Sequence, residues 1–252
     1  MGSEIITVNA TNVDRTGFFC YMSKRKTAGY QKKLTWLKQR FGEGLRIKML
    51  RLPERGFIEY IPGEFAWRPV QAKGYMVIHC LWVVGRSRGK GNAARLLDAC
   101  VVDARASGKK GVAMVTSGGK FMNWKCFLEN EGFQAVGPTP LGYELMALRF
   151  GNDLWPKFTG GWEKRALAQG KGLTVLRTDQ CPYYEDAAKA LLDTARKTDL
   201  QAKLIELRTA TDVRRLAPSP YGAFNVVLDG KLIPSHYQAR EALMMQKRKK
   251  LV

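Results

Sequence analysis

The chain reads as a mixed α/β protein in two parts. Three observations predict this. A long apolar strand runs through a glycine-rich turn into an amphipathic helix, strands and helices alternate simply in the last third, and a glycine- and tryptophan-rich stretch separates the two. That stretch, GNDLWPKFTGGWEKRALAQGKG at 151–172, has glycines at 151, 160, 161, 170 and 172 and Pro156, which interrupt any long period. Its Trp155, Phe158 and Trp162 predict a linker packed onto a neighbour. At about 150 residues per domain, 252 residues suit one large domain or two small ones. The pattern divides the chain into a first domain at 1–154, a linker at 155–172 and a second domain at 173–252.

In the first part, Ile5–Val8 is a short β-branched strand. Tyr30–Phe41 sets Leu34, Leu37 and Phe41 on one helical face. Ile47–Leu50, Gly56–Ile61 and Tyr75–Val84 read as strands, the last an almost unbroken apolar run (YMVIHCLWVV) suited to a buried position. Asn92–Ala106 places Ala94, Leu97, Val101 and Ala104 on one face and stops near Gly108. Gly111–Val115 is a strand, Asn123–Glu131 a short helix ending at Gly132, and Tyr143–Phe150 an alternating strand. In the second part, Leu173–Thr178 is a strand and Glu185–Thr198 a helix with Ala188, Leu191, Leu192 and Ala195 as its apolar stripe. Strand Lys203–Leu207, short helix Thr211–Leu216 and strand Phe224–Leu228 follow. The Asp229-Gly230 pair then predicts a hairpin into Lys231–Ile233, and Gln238–Lys247 a last helix. This order is the layout expected of a thioredoxin-like domain.

Composition narrows the class. Hydrophobic residues make up 45% and aromatics 10%, enough for packed cores. No apolar run approaches the roughly 18 residues of a bilayer span, so no membrane association is expected. The segment Met1–Asn9 lacks the layout of a secretory signal. Five widely spaced cysteines (Cys20, Cys80, Cys100, Cys126 and Cys181) and two distant histidines (His79 and His236) give neither a disulfide framework nor the close ligand spacing of structural zinc. These features predict a cytoplasmic protein with reduced thiols and no metal. The formal charge is +20, with net +13 in residues 1–150 and +7 in 151–252. A nucleic-acid partner therefore stays open, with Met22–Lys33 and the tail Lys247-Arg248-Lys249-Lys250 as basic stretches.

The segment Val83-Val84-Gly85-Arg86-Ser87-Arg88-Gly89-Lys90-Gly91-Asn92 carries most information. Glycines let main-chain N–H groups converge without a Cβ in the way. The helix start adds unpaired donors and partial positive charge, so the turn suits a phosphate or diphosphate. Gly89-Lys-Gly91-x-x-Ala94 also satisfies a dinucleotide fingerprint. That fingerprint expects the first strand of a βαβ unit and an acid about 20 residues on, where Lys109 and Lys110 stand instead.

Arg86-x-x-Gly89-x-Gly91 resembles the acyl-CoA motif (Gln/Arg)-x-x-Gly-x-(Gly/Ala) of the GNAT family of N-acetyltransferases. HCLWVVGRSRGKG (His79–Gly91), EYIPGEFAWRP (Glu59–Pro69) and Gly132-Phe133 resemble one branch of it, whose members carry a C-terminal YoaP-like, thioredoxin-related domain. The resemblance covers nearly the whole chain. It implies a GNAT acyl-CoA N-acyltransferase fold with a mixed sheet, followed by a small thioredoxin-like domain. It also implies acetyl-CoA as cosubstrate, lying where parallel strands Tyr75–Val84 and Gly111–Val115 splay apart. Implied cofactor-binding residues are Leu81, Trp82, Val83, Arg86, Ser87, Arg88, Gly89, Lys90, Gly91 and Asn92. The main chain of 86–91 would hold the diphosphate, and an N–H of Leu81 or Trp82 would polarise the thioester carbonyl. An amine would attack directly, without a protein nucleophile or a metal.

Glu59, Glu64 and His79 are the candidate bases: Glu64 reads either as a base whose pKa partial burial could raise or as a surface carboxylate paired with Arg68, and His79 either as a base or as a hydrogen-bonded core histidine. Trp67, Trp82 and Trp124 are candidates to line an acceptor pocket or to fill the core. Cys80 and Cys126 read as packing thiols rather than acyl carriers. The sequence departs from the family at Leu128, where a tyrosine four residues before Gly-Phe commonly serves as the acid; water or Tyr143 would take that role. In the second part, Cys181-Pro182-Tyr183-Tyr184 has the place of a glutaredoxin-type Cys-Pro-Tyr-Cys site but no second cysteine. Ala223-Phe224 occupy the place of its usual proline, with Pro218 and Pro220 upstream. A binding or structural role is expected there. The acceptor, an amine of a small molecule, a peptide or an aminoacylated RNA, is not identified, and a homodimer fits such domains. Two other readings stay open: a basic nucleic-acid-associated protein on a degenerate acyltransferase fold, and a thiol redox or binding protein acting through Cys181.

Overall fold

A computed structural model describes residues 4–118 and 122–233. The described residues form two compact units, one of 4–26, 34–66, 70–118 and 122–158, the other of 27–33, 67–69 and 159–233. The basic tail, His236 and the predicted helix Gln238–Lys247 lie outside the described residues.

The first unit holds β1 (Ile5–Val8), α1 (Val13–Thr16), most of α2 (Ala28–Phe41), β2 (Arg46–Leu50), β3 (Gly56–Pro62) and β4 (Val70–Gln71). It continues with β5 (Tyr75–Val83), α3 (Asn92–Ala106), β6 (Gly111–Ser117), α4 (Lys125–Asn130), β7 (Gln134–Ala135), β8 (Tyr143–Arg149) and β9 (Lys157–Phe158). Seven strands form one sheet in the order β1-β2-β3-β5-β6-β8-β7. Its pairs are antiparallel except β5 with β6, which run parallel. The sheet is thus mixed. The apolar run of β5 lies in its middle, as a strand covered on both faces must.

Helix α3 begins and ends where the periodicity predicts. It buries Leu96, Leu97, Cys100 and Ala104, three and four residues apart, against Ile58, Tyr60, Met76, Ile78, Leu81 and Met114. Each large apolar side chain buried here contributes about 1.5–3 kcal/mol. Polar contacts fix the helix along its length. The Asp103 carboxylate accepts from the Tyr60 hydroxyl at 2.6 Å and pairs with Arg46 at 3.1 Å and Lys48 at 3.2 Å. Burial opposes ionisation of Asp103, but the Tyr60, Lys48 and Arg46 donors outweigh it and hold the carboxyl below its ordinary range.

The second unit contains α5 (Trp162–Leu167), β10 (Leu173–Arg177), α6 (Tyr183–Lys197), β11 (Ala202–Glu206), α7 (Ala210–Leu216), β12 (Phe224–Leu228) and β13 (Lys231–Ile233). Residues 155–172 are therefore not bare linker, since they include β9 and α5. The four strands lie in the order β11-β10-β12-β13, with β10 parallel to β11 and antiparallel to β12. Ala188, Leu191 and Ala195 of α6 are buried on Val175, Phe224 and Val226, while Leu192 is only half-buried. Thr209 and Asp212 close a capping box at the start of α7. The Asp229-Gly230 turn has positive φ at both residues, 50° and 75°, the geometry that joins β12 to β13 through the Leu228–Lys231 pair.

Candidate active site

The parallel pairing of β5 and β6 runs from Tyr75–Gly111 to Ile78–Met114 and no further. Strand β5 continues to Val83 and β6 to Ser117. The two strands therefore part, and the edge of β5 beyond Ile78 has no β6 partner. At the same level β5 carries one extra residue against β3: Glu59 pairs with Cys80 and Tyr60 with Ile78, so His79 forms the bulge. A bulge adds local twist, which is what a strand needs to turn away from its neighbour.

At the open end a cleft of about 530 Å³ is lined by Trp82, Val83, Ser87, Arg88, Gly89, Gly91 and Asn92. Its other walls are Ala93, Ala94, Asn123, Trp124, Phe127 and Glu131. Seven of the ten residues implied as cofactor-binding thus meet at one cleft. Gly85, Gly89 and Gly91 have φ of 57°, 72° and 70°, and a Cβ on any of them would meet no protein atom within 4 Å. The turn is therefore kept open by its backbone conformation rather than by crowding. Gly91 is the N-cap of α3, and the first turn of α3 contains no acidic residue. Within the turn the Ser87 and Arg88 N–H groups donate to the Val84 and Gly85 carbonyls, both at 3.2 Å, and the start of α3, the positive helix end, lies at the cleft through Gly91, Asn92, Ala93 and Ala94.

The remaining candidates are placed differently. Leu81 is buried on the α3 side of the sheet. Arg86 is exposed and does not line the cleft. Lys90 turns away to Glu54, with Nζ–Oε1 at 2.9 Å. Arg88 folds back instead: its Nε donates to the Val83 carbonyl at 3.0 Å and its guanidinium lies over the Trp82 ring. Ser87 and Asn92 keep their side-chain contacts within the protein. Ser87 Oγ accepts from the Arg55 N–H at 2.8 Å, and Asn92 Nδ2 donates to the Ser87 carbonyl at 3.0 Å.

Two candidate bases come together. Glu59 and His79 face each other at 3.4 Å between Oε1 and Nδ1, and both side chains are buried. The Trp36 ring lies 6.2 Å from the imidazole. Glu64 is elsewhere, at the closed end of β5, where its Oε1 accepts from the Gly74 N–H at 2.9 Å and Oε2 lies 3.8 Å from Lys109. Contrary to the expected rise, its carboxyl is held below the ordinary range. Burial opposes ionisation, but main-chain N–H groups and lysines outweigh it.

Leu128, in the place of the family tyrosine, is fully buried. Tyr143 pairs with Ser117 at the end of the sheet where β5 and β6 part. Trp124 stands at the cleft, edge-on to Phe127 at 5.5 Å, whereas Trp67 is buried in the second unit. Phe127, Asn123 and Glu54 carry no local motif and were not legible as site residues. Cys100 is buried, which pushes its thiol pKa well up; Cys80 is half-buried and Cys126 exposed.

The uncharacterized N-acetyltransferase YoaP of Bacillus subtilis (strain 168) is 32% identical over 233 residues, which are 90% of this chain and 92% of that protein. This chain belongs to the GNAT family of N-acetyltransferases. The yncA structure from Salmonella typhimurium, which holds acetyl-CoA, covers 62% of this acetyltransferase with 99% of its own chain, at 16% identity and TM-score 0.44. The ribosomal-protein-alanine N-acetyltransferase of Brucella melitensis covers 58% with 99% of its own chain, at 15% identity and TM-score 0.43. No family profile matches the acetyltransferase. Among the described residues, no helix is long and apolar enough to cross a membrane, and no cluster of three His, Cys, Asp or Glu side chains could hold a metal ion.

Proposed function

We propose that this N-acetyltransferase binds acetyl-CoA across the opening between β5 and β6 and passes the acetyl group directly to an amine. The observation that carries the reading is the parting of β5 from β6 just before the open glycine turn. In this reading the main chain of residues 86–91 holds the diphosphate and the free edge of β5 pairs with the pantetheine arm. An N–H of Leu81 or Trp82 donates to the thioester carbonyl and stabilises the oxyanion as it forms. Calorimetric titration with acetyl-CoA tests it: saturable binding that is lost in Gly89→Val supports the reading, and no binding at high micromolar ligand overturns it.

The amine must lose a proton, and the Glu59–His79 pair is the group at the bulge able to take it. Burial of both side chains means that the proton reaches them through bound water rather than by direct contact with the amine. Glu59→Gln is expected to lower kcat by about 10²-fold while acetyl-CoA affinity is kept. Glu64 serves as a loop anchor. The departing thiolate takes its proton from water or from Tyr143. Screening amines, amino acids, peptides and aminoacylated RNA for CoA release would find the acceptor. A nucleic-acid acceptor would show itself by affinity that falls steeply with salt.

For the second unit, the strand order β11-β10-β12-β13 and the α6 and α7 crossovers support a thioredoxin-like domain with a binding or structural role. Tyr184, where a second cysteine would stand, is buried with its hydroxyl on that of Tyr221.

A further inference from the structure

Glu54 lies in the β2–β3 turn, outside every motif in the sequence, yet its carboxylate reaches three residues of the glycine turn. Its Oε1 pairs with Lys90 Nζ at 2.9 Å, its Oε2 accepts from Asn92 Nδ2 at 3.4 Å, and the Ser87 hydroxyl lies close enough to lower its pKa. The neighbouring Arg55 completes the arrangement by donating its main-chain N–H to Ser87 Oγ. Ser87 therefore sits against two consecutive residues of one turn.

An anion is a strange neighbour for a polyanion's site, and Coulomb repulsion alone would select against it. Its position makes sense as a brace. Three glycines with positive φ leave residues 85–91 with few side chains of their own, held locally by the Ser87 and Arg88 N–H bonds to Val84 and Gly85 and by Arg88 Nε on Val83. Ordering such backbone at the moment of binding would cost conformational entropy. A turn ordered beforehand avoids that cost, which is the general source of affinity from preorganisation. The basic character of the turn also decides which charge can serve: a carboxylate ties down Lys90 and accepts from Asn92 at once. The nearby Ser87 hydroxyl and Lys90 in turn hold the Glu54 carboxyl below its ordinary range, so it remains ionised.

We infer that Glu54 is a positioning residue that pre-forms the diphosphate turn through Ser87, Lys90 and Asn92. This rests on the reading of residues 86–91 as the diphosphate cradle. It further assigns Lys90 to the brace and leaves the coenzyme's negative charge to the main chain of the cradle and to Arg88, which lines the cleft.

Calorimetry with acetyl-CoA, paired with steady-state kinetics, tests the brace on the full chain. Glu54→Ala is expected to raise Kd and KM by about tenfold, the loss of hydrogen bonds to a charged group, with kcat changed less than twofold. Glu54→Gln, which keeps an acceptor oxygen, should recover part of that loss. Ser87→Ala cuts the brace from the other side without a charge change, and Glu54→Ala/Ser87→Ala should lose clearly less than the two singles combined. Wild-type protein that binds no acetyl-CoA would refute the cradle itself. Wild-type binding with unchanged or tighter binding in Glu54→Ala would refute only the brace and mark Glu54 as a repulsive neighbour. If Glu54→Ala does not fold, unchanged affinity in Ser87→Ala and Glu54→Gln refutes the brace just as well.

Discussion

Each unit of this acetyltransferase presents a strand, a turn and the N-terminus of a 15-residue helix, yet the two ends differ in what they leave open. At the start of α3 the turn is glycine-rich and the first helical turn has no acid. At the start of α6 the first turn carries Glu185 and Asp186, which already meet the positive helix end. The turn before α6 is also filled. Gln180 is buried, its N–H on Thr178 Oγ, its side chain accepting from Arg68 at 2.7 Å and its carbonyl from Lys33 at 2.6 Å. Even the braces are of opposite sign. The cationic first turn is held by Glu54, whereas the acidic second one is held by Arg177, buried and bonded to Asp179, Glu185 and Glu206 at 2.6–3.0 Å. A helix N-terminus is thus not a ligand site by itself. The side chains around it decide whether its donors face a ligand or the protein.

The largest effect should come from breaking the buried brace. Arg177→Ala removes the buried cation from Asp179, Glu185 and Glu206, while Lys32 stays on Glu185 and Arg208 on Glu206, and is expected to destabilise the second unit by about 1.5–3 kcal/mol, the scale of hydrogen bonds to charged groups, read as a lower unfolding midpoint in urea. An unchanged midpoint would show that the second turn is held by packing alone. Opening the other comparison, Gly89→Val and Gly91→Val place a β-branched residue at positive φ and a side chain where the cleft is open. Acetyl-CoA affinity should fall by at least about tenfold, and wild-type affinity in both variants would mean that the turn is not the cradle.

A smaller effect concerns the carboxylate that anchors α3. Asp103→Asn should cost about 1–2 kcal/mol in thermal or urea unfolding, the scale of hydrogen bonds to a charged group. Because the folded pKa of Asp103 is lowered, its contribution is fully present above the unfolded value of about 4 and is lost as pH falls through the folded value. The stability gap between wild type and Asp103→Asn should therefore narrow from pH 5 to pH 3; a gap that stays constant would contradict an ionised anchor. The smallest effect is expected at Cys181→Ser. In a turn whose neighbours are already engaged, it should leave acetyl transfer within twofold, and loss of all activity would reopen a thiol mechanism.

The elements that could be read along the chain are those with local causes. Helix α3 follows from its apolar spacing and flanking glycines, and the Asp229-Gly230 hairpin from the φ values its type requires. The open turn was legible for the same reason, since glycine at 85, 89 and 91 records a backbone preference. Residues whose roles come from distant partners were not. Glu64 was placed with the bases because of its aromatic, basic surroundings, but what it bonds is the Gly74 N–H. Lys90 looked like a phosphate ligand, and its partner Glu54 lies 36 residues away.

Sequence alone thus determined the main strands and helices among the described residues and the glycine turn at the end of the apolar strand. These arise from periodicity and backbone preference within a few residues. Only the tertiary structure decided that β5 and β6 part after Ile78 and Met114, that Glu59 meets His79, and that segments 27–33 and 67–69 belong with the second unit. Each of these depends on which distant residues pair, and pairing is settled by the packing of the whole sheet rather than by any stretch of chain.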